Sequence, residues 1–99
     1  MSFYAYIMAS GPYGTLYAGS TDNVWQRATQ HKERRFNGFS VRYGVDKLVW
    51  FERFDTRHGA FVRERRIKEW KRRWKVELIE AMNPEWRDLY DDLINLLTC

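Results

Sequence analysis

The alternation of apolar and polar positions at the start of the chain predicts an antiparallel hairpin. In residues 3–8, Ala5 and Ile7 fall on one face of an extended strand, and the tyrosines of this segment fall on the other. Residues 11–14 read Gly-Pro-Tyr-Gly, which is strong turn chemistry. Residues 15–20 then return as a second strand beside the first.

A helix and a third strand are predicted after the hairpin. Either Thr21 or Asp22 can cap a helix that runs to about Lys32, because both side chains accept hydrogen bonds from the amides of a first turn. Residues 33–44 are polar, aromatic and interrupted by glycine, which indicates an irregular loop. Residues 47–54 are rich in aromatic and β-branched side chains and predict a strand that joins the hairpin.

Helical spacing dominates the second half of the chain. One helix is predicted over residues 58–73 and a short one over residues 76–82. A last helix is predicted at Asn83 and Pro84, since asparagine can cap it and proline suits the first helical position. Its apolar stripe consists of Trp86, Leu89, Tyr90 and Leu93. The predicted fold is α+β: one domain over residues 1–99, with a small three-stranded antiparallel sheet packed with α-helices.

Charge is distributed unevenly along the chain. There are 17 lysines and arginines against 13 acids, a net charge of +4. Residues 77–99 hold six of the acids and one base, which leaves residues 1–76 with a net charge of +9. A basic body favours a polyanionic partner such as a phosphate backbone. The chain shows neither a membrane-spanning apolar run nor a signal-peptide pattern, so a soluble cytoplasmic protein is expected.

Four side chains with acid, base or anion-binding chemistry fall in the predicted hairpin and first helix. They are Tyr6, Tyr17, Arg27 and His31. The first tyrosine ends a Tyr-Ala-Tyr signature, and the second opens a Tyr-Ala-Gly signature. Arg27 and His31 share a helix face with Val24 and Ala28, so this face should turn toward the sheet.

These four residues have a functional and a structural interpretation. A guanidinium binds phosphate through two contacts, and a phenol near a metal ion and an arginine can have its pKa lowered and take a proton from water. In the structural interpretation, Arg27 lies at the helix edge with its charge in water, and His31 favours the helix dipole. Tyr6 and Tyr17 are then half-buried strand residues.

Glu64 lies on an apolar stripe of the second predicted helix, four residues after Ala60 and three before Ile67. A carboxylate on a core-facing line is costly unless it is paired or bound to a metal ion. One interpretation is a buried ion pair with an arginine such as Arg27. The other is an oxygen ligand for Mg²⁺, which often takes one or two protein carboxylates together with water and substrate phosphate.

The same region is densely basic, with nine cations against two acids in residues 57–75. Such a surface suits a nucleic-acid backbone, although a solvated face is the common alternative. Trp70 and Trp74 continue the apolar stripe and are expected in the core. The residues predicted to contact nucleic acid are Arg63, Arg65, Arg66, Lys68, Arg72 and Arg73.

Taken together, these positions resemble the GIY-YIG nuclease family. The two tyrosine signatures, followed by Arg27, His31 and Glu64, stand in the family's order over about residues 3–89. The chain looks most similar to small single-domain bacterial members related to the N-terminal nuclease domain of the bacterial excinuclease. Two departures are plain, because the first motif reads Tyr-Ala-Tyr for Gly-Ile-Tyr and Ala18 replaces isoleucine in the second. Neither departure removes an acid, a base or a ligand atom.

The resemblance implies a role for each matching residue. Tyr6 and Tyr17 match the motif tyrosines, and Tyr6 is expected to activate the water with Tyr17 beside it. Arg27 and His31 match the arginine and histidine that steady the phosphate, and Glu64 matches the glutamate that binds Mg²⁺ or Mn²⁺. The reaction implied is metal-dependent hydrolysis of a phosphodiester.

Three hypotheses for function follow. The first is a metal-dependent DNA endonuclease, either weakly specific or structure-selective toward branched DNA or single-strand/duplex junctions, which serves repair or recombination with or without a protein partner. The second is a module that binds nucleic acid on the same fold without cutting it. In the third, Glu64 and Arg27 form a buried ion pair and the basic face promotes solubility.

Overall fold

The computed structural model describes residues 2–33 and 44–92 and contains a three-stranded antiparallel sheet. Strand β1 (Phe3–Ala9) lies in the centre, between β2 (Leu16–Thr21) and β3 (Lys47–Phe54). These bounds agree with the predicted strands to within one residue. The predicted α+β class with a small antiparallel sheet is confirmed.

The two faces of β1 pack against different helices, because successive side chains of a strand point to opposite sides. Helix α1 (Val24–Lys32) covers the face that carries Tyr6, and α2 (Arg57–Glu69) covers the face that carries Ile7. Tyr6 and Glu64 therefore start on opposite sides of the sheet. They can approach one another only around its edge, which β2 forms.

Helix α1 begins after Asn23, and the predicted cap at Thr21 or Asp22 was wrong. The Asn23 side chain accepts a hydrogen bond from the Gln26 amide at 2.9 Å. Strand β2 extends through Thr21, whose hydroxyl oxygen instead accepts from the Asn23 amide at 3.1 Å. Because β2 continues through Thr21, the helix begins later than predicted and its N-cap is Asn23.

The helix predicted over residues 58–73 is divided in the structure. Helix α2 ends before Trp70, and α3 (Arg72–Met82) begins after two residues with extended backbone angles. This break redirects the chain, so that Ile67 of α2 and Ile79 of α3 pack into the same core. Two helices are present as predicted, but the break between them lies at residues 70 and 71 and not at residues 74 and 75. None of the helices in the described parts of the chain is both long and apolar enough to cross a membrane.

Asn83 ends α3 and does not start the last helix predicted at Asn83 and Pro84. Its side-chain amide donates to the carbonyl of Val49 on β3 at 3.2 Å, and its side-chain oxygen accepts from the Arg87 amide at 3.0 Å. Residues 84–88 form a turn and an irregular segment. The asparagine thus ties the chain after α3 to the sheet.

The predicted core is confirmed only in part. Trp86 and Leu89 are buried as expected, although they do not lie on a helix. Trp74 was expected in the core but is 45% exposed, because the break after α2 turns it outward. Leu93 and residues 34–43 of the predicted loop lie outside the described residues.

Helix α3 anchors the turn between β1 and β2. The Gly14 amide donates to the Gly11 carbonyl at 2.9 Å, which closes the predicted turn. The Tyr13 hydroxyl donates to Glu80 at 2.5 Å, and Arg72 donates to the carbonyl oxygens of Tyr13 and Gly14 at 2.6 Å each. The hairpin that carries both signature tyrosines is thereby held from its tip.

Candidate active site

Tyr6 lies directly opposite Gly19 in the pairing of β1 with β2. Its side chain is only 3% exposed and packs against the glycine backbone. A β-carbon at position 19 would come within 2.5 Å of the phenolic oxygen, which is closer than real contacts allow. The glycine of the second signature is therefore required by the close approach of the tyrosine ring.

His31 joins the two tyrosines from helix α1. Its Nε2 lies 3.4 Å from the Tyr6 hydroxyl oxygen, within hydrogen-bond distance. The imidazole centroid is 6.0 Å from the Tyr6 ring and 5.2 Å from the Tyr17 ring. Val24, Ala28 and His31 are the buried residues of α1, so the predicted inward face of this helix is confirmed.

Burial lowers the pKa of His31 to about 4, and the positive charge of Arg27 acts in the same direction. The imidazole is therefore neutral at physiological pH. A cationic His31 that favours the helix dipole, as the structural interpretation supposed, does not fit this environment. The residue can still exchange hydrogen bonds with Tyr6 as a neutral ring.

We expect the stability of the protein to fall with pH in a way that depends on His31. The unfolded chain binds the imidazole proton near the ordinary pKa of 6.5, and the folded chain binds it only near 4. The stabilisation that comes from keeping His31 neutral is therefore fully present above pH 6.5 and is lost as the pH falls through 4. The free energy of unfolding should decrease by up to about 3 kcal/mol. Urea unfolding across this range should show a shallower loss in His31→Gln than in the unaltered protein.

The control for this experiment is His58→Gln, which replaces the other histidine of the chain. His58 is exposed, so this variant should keep the pH dependence of the unaltered protein. Parallel curves for the unaltered protein and His31→Gln would contradict the assignment, because the pH-dependent loss would then come from the carboxyl groups alone.

Burial also raises the pKa of Tyr6, so its phenol stays protonated at neutral pH. Negative charge on Tyr17 and Glu64 raises this pKa further, and the Arg27 guanidinium lowers it by less than burial raises it. The expected lowering of the pKa is therefore not found for Tyr6 in the protein alone. Tyr17, Arg27 and Glu64 all influence the pKa of the same phenol, so the structure brings the predicted residues together at one place.

Glu64 reaches this place from helix α2 and is only 8% exposed. Its position between the buried Ala60 and Ile67 confirms that it lies on the inward stripe. Ser20 on β2 donates a hydrogen bond to one carboxylate oxygen at 2.8 Å, and the Lys68 ammonium lies 3.0 Å from the other. A lysine one turn further along α2 is thus an ion-pair partner of this carboxylate.

The surroundings of Glu64 fit a metal ion that needs few protein ligands. Within residues 2–33 and 44–92, no cluster of three or more histidine, cysteine, aspartate or glutamate side chains could hold a metal ion. Mg²⁺ often accepts one carboxylate and fills its other positions with water and substrate oxygens. The Lys68 side chain is about half exposed, so it can leave the carboxylate at little cost.

The predicted nucleic-acid surface separates into two groups. Arg63 pairs with Glu52 at 3.0 Å and stacks near two tryptophan rings, and Arg72 holds the hairpin turn. These two arginines have structural contacts. Three of the remaining predicted residues, Arg65, Arg66 and Arg73, are exposed on α2 and α3 and are available to a phosphate backbone, and Lys68 is exposed but paired with Glu64.

Sequence reasoning missed Ser20 and Lys75 as part of this region. Ser20 orients the Glu64 carboxylate, and Lys75 lines a small cleft of about 180 Å³ together with Tyr17 and Lys68. Alternation along β2 places Ser20 on the face opposite Tyr17, which is the face that α2 covers. This pattern could have indicated a contact between Ser20 and α2. No comparable signal existed for Lys75, because the break between α2 and α3 decides where it points.

Fold and site together define an α+β domain of nuclease-like architecture, with a carboxylate, an arginine and two tyrosines at the edge of a small sheet. A sequence model of the GIY-YIG catalytic domain matches residues 2–77. The chain belongs to the GIY-YIG family.

Similar proteins carry the name UPF0213. A UPF0213 protein of Clostridium perfringens is 35% identical over 86 residues, covering 83% of this chain and 87% of that protein. Another from Syntrophus aciditrophicus is 34% identical over 83 residues, covering 83% and 93%. The solution NMR structure of a UPF0213 protein from Bacillus halodurans has a TM-score of 0.55 and 25% identity, covering 89% of this chain and 93% of that one. The small α+β fold is thus shared with a solved structure.

Proposed function

We propose that the chain hydrolyses DNA phosphodiester bonds with the help of a divalent cation, Mg²⁺ or Mn²⁺. The observation that carries this proposal is the buried carboxylate of Glu64 at the same sheet edge as Arg27 and the two signature tyrosines. Membership of a nuclease family supports the reaction type. A buried carboxylate beside an arginine and phenols also matches what phosphoryl transfer needs, since such catalysis consists mainly of positioning and charge stabilisation.

Glu64 would hold the cation, and Ser20 would fix the orientation of its carboxylate. When bound, the cation would supply Lewis-acid stabilisation of the negative charge that develops on the phosphate oxygens. For the cation to bind, the Lys68 ammonium must move away from the Glu64 carboxylate oxygen that it contacts. Its ammonium group would then be available to a neighbouring phosphate.

Tyr17 is the better placed of the two phenols to accept a proton from the attacking water, a step in which Tyr17 must first release its own hydroxyl proton to solvent and act as the phenolate. It is half-buried at the cleft that Lys68 and Lys75 line, whereas Tyr6 is buried and keeps its proton. Tyr6 would act through its hydrogen bond with the neutral His31, which fixes the ring beneath the reacting groups. Water activation is therefore assigned to Tyr17 and positioning to Tyr6.

Arg27 would bind the phosphate that is cut. Its guanidinium keeps its charge at any physiological pH and can contact two phosphate oxygens at once. The exposed arginines of α2 and α3 would grip neighbouring phosphates, and such contacts position the strand without reading its sequence. We therefore propose a structure-selective nuclease of branched DNA or of single-strand/duplex junctions, which suits repair or recombination.

The ion pair between Lys68 and Glu64 favours a second candidate function. A cation from the protein itself already neutralises the only carboxylate proposed to bind metal. If this pair persists in the presence of Mg²⁺, the chain would bind nucleic acid without cutting it.

Incubation with a panel of DNAs separates the two candidates. We expect nicking of flapped or branched DNA in Mg²⁺ or Mn²⁺ and none in EDTA, because Glu64 alone supplies no Lewis acid. Duplex and single-stranded DNAs in the same panel test the selectivity. Salt-sensitive binding to DNA without any product, even in Mn²⁺, would contradict hydrolysis and support the binding module.

A further inference from the structure

A second cleft lies beside Glu64, at the start of helix α2. It is lined by Ser20, Arg57, His58 and Phe61. Ser20 is also the hydrogen-bond donor to the Glu64 carboxylate, so the cleft opens directly onto the proposed cutting site. The nuclease chemistry proposed above uses none of the three helix residues.

Phe61 is one of the exposed aromatic residues of the described chain, with 45% of it open to solvent. It lies three residues before Glu64 on the same helix, so the α-carbons of the two residues are about 4.5 Å apart along the helix axis. An exposed aromatic face at this distance is suited to stacking on a base of the strand being cut. Stacking on aromatic side chains is a common way for proteins to hold unpaired bases.

The charges around Phe61 favour a nucleic-acid occupant. The Arg65 guanidinium lies 5.7 Å from the Phe61 ring centroid. Arg57 lies 4.9 Å from the Phe3 ring and 3.6 Å from the exposed carboxylate of Asp22. Such an exposed pair contributes little, so phosphate can replace Asp22. Arg57 and Arg65 lie one helical turn before and after Phe61 on α2, and this spacing complements the phosphates on either side of a base.

We propose that this cleft holds an unpaired nucleotide of the DNA strand next to the phosphodiester that is cut. The base stacks on Phe61, and Arg57 and Arg65 contact the phosphates that flank it. This deepens the proposed function, on which it rests, by assigning a binding site to the unpaired nucleotide beside the phosphodiester that is cut. A fully paired duplex cannot offer a base to Phe61 without unstacking it.

The test is DNA binding measured in EDTA by fluorescence anisotropy, so that no cutting occurs. We expect Phe61→Ala to weaken binding of a flapped duplex about tenfold, the size typical of losing one base–aromatic stack, and to change binding of a blunt duplex little. Phe61→Tyr should bind the flap like the unaltered protein. An abasic nucleotide as the first unpaired residue of the flap should reproduce the loss and make binding insensitive to Phe61→Ala.

Trp74→Ala is the matched control, since Trp74 is also 45% exposed but lines a different cleft with Trp70 and Glu77. It should leave flap binding unchanged. The proposal is overturned if Phe61→Ala weakens flap and duplex equally or changes neither, or if the abasic flap keeps full affinity. Because binding is measured without metal, a protein that never cuts DNA but shows the expected pattern would overturn the proposed hydrolysis and uphold the cleft.

Discussion

Glu64→Gln is expected to lower the rate of metal-dependent DNA cleavage by about 10³-fold or more, the range seen when a principal electrostatic group of a site is removed. Glutamine keeps the shape of the side chain and an oxygen that can accept the Ser20 hydrogen bond. It lacks the negative charge that a divalent cation requires. Cleavage rates of the purified variant on the best substrate of the panel provide the measurement.

The fold should survive this substitution. The ion pair that is lost involves Lys68, whose side chain is about half exposed, so the free energy of unfolding should change by no more than about 1 kcal/mol. DNA binding should be retained or strengthened, because one negative charge has been removed near the phosphates. Loss of cleavage with intact folding and binding would therefore locate the defect in the chemistry.

Glu69→Gln is the matched control, because Glu69 is an exposed glutamate of the same helix. It removes the same charge from the same helix and should leave cleavage unchanged. Cleavage by Glu64→Gln at a rate close to that of the unaltered protein would show that Glu64 does not hold the metal ion.

Much of the sheet and of the candidate site follows from local pattern. The strand bounds depend on alternation and turn residues, and β3 was predicted without error at either end. The inward position of Glu64 follows from helical spacing relative to Ala60 and Ile67, and that of His31 from its spacing relative to Ala28. These signals need no knowledge of which elements pack together.

The errors arise where distant parts of the chain decide the outcome. Asn83 has the local features of a helix cap, but its side-chain amide donates to the carbonyl of Val49 on β3, and its side-chain oxygen accepts from the Arg87 amide outside any helix. The break at Trp70 lets Ile79 reach the core, and nothing near Trp70 in the sequence marks it. Most of these residues are helical, as their helix propensity predicts. Tertiary packing decides where one helix ends and the next begins.

Charge states could not be predicted for the same reason. Tyrosine and histidine carry no sequence signal of how deeply they will be buried, and burial is the main cause of both pKa shifts in the site. The resemblance led us to expect that Tyr6 activates the water, with Tyr17 beside it. The structure distinguishes them, because Tyr6 packs beneath β2 whereas Tyr17 lines an open cleft.

Gly19→Ala is expected to damage both stability and cleavage. The added methyl group would lie 2.5 Å from the Tyr6 hydroxyl oxygen and 2.6 Å from the ring carbon that bears it. Tyr6 is buried and cannot swing into solvent, so this overpacking should lower the free energy of unfolding by about 1–3 kcal/mol. Displacing the phenol from His31 should lower the cleavage rate by about 100-fold, since shifts near 1 Å have effects of that size.

Gly11→Ala provides the matched control, because a β-carbon at Gly11 would meet no atom within 4 Å. Urea unfolding and cleavage should be close to those of the unaltered protein. A double-mutant cycle with Tyr6→Leu then tests the cause: if the methyl group acts by colliding with the ring, Gly19→Ala should destabilise the Tyr6→Leu protein much less than the unaltered one. An equal loss of stability in both backgrounds would place the effect in the β2 backbone, and the glycine of the second signature would then serve the strand rather than the tyrosine opposite it.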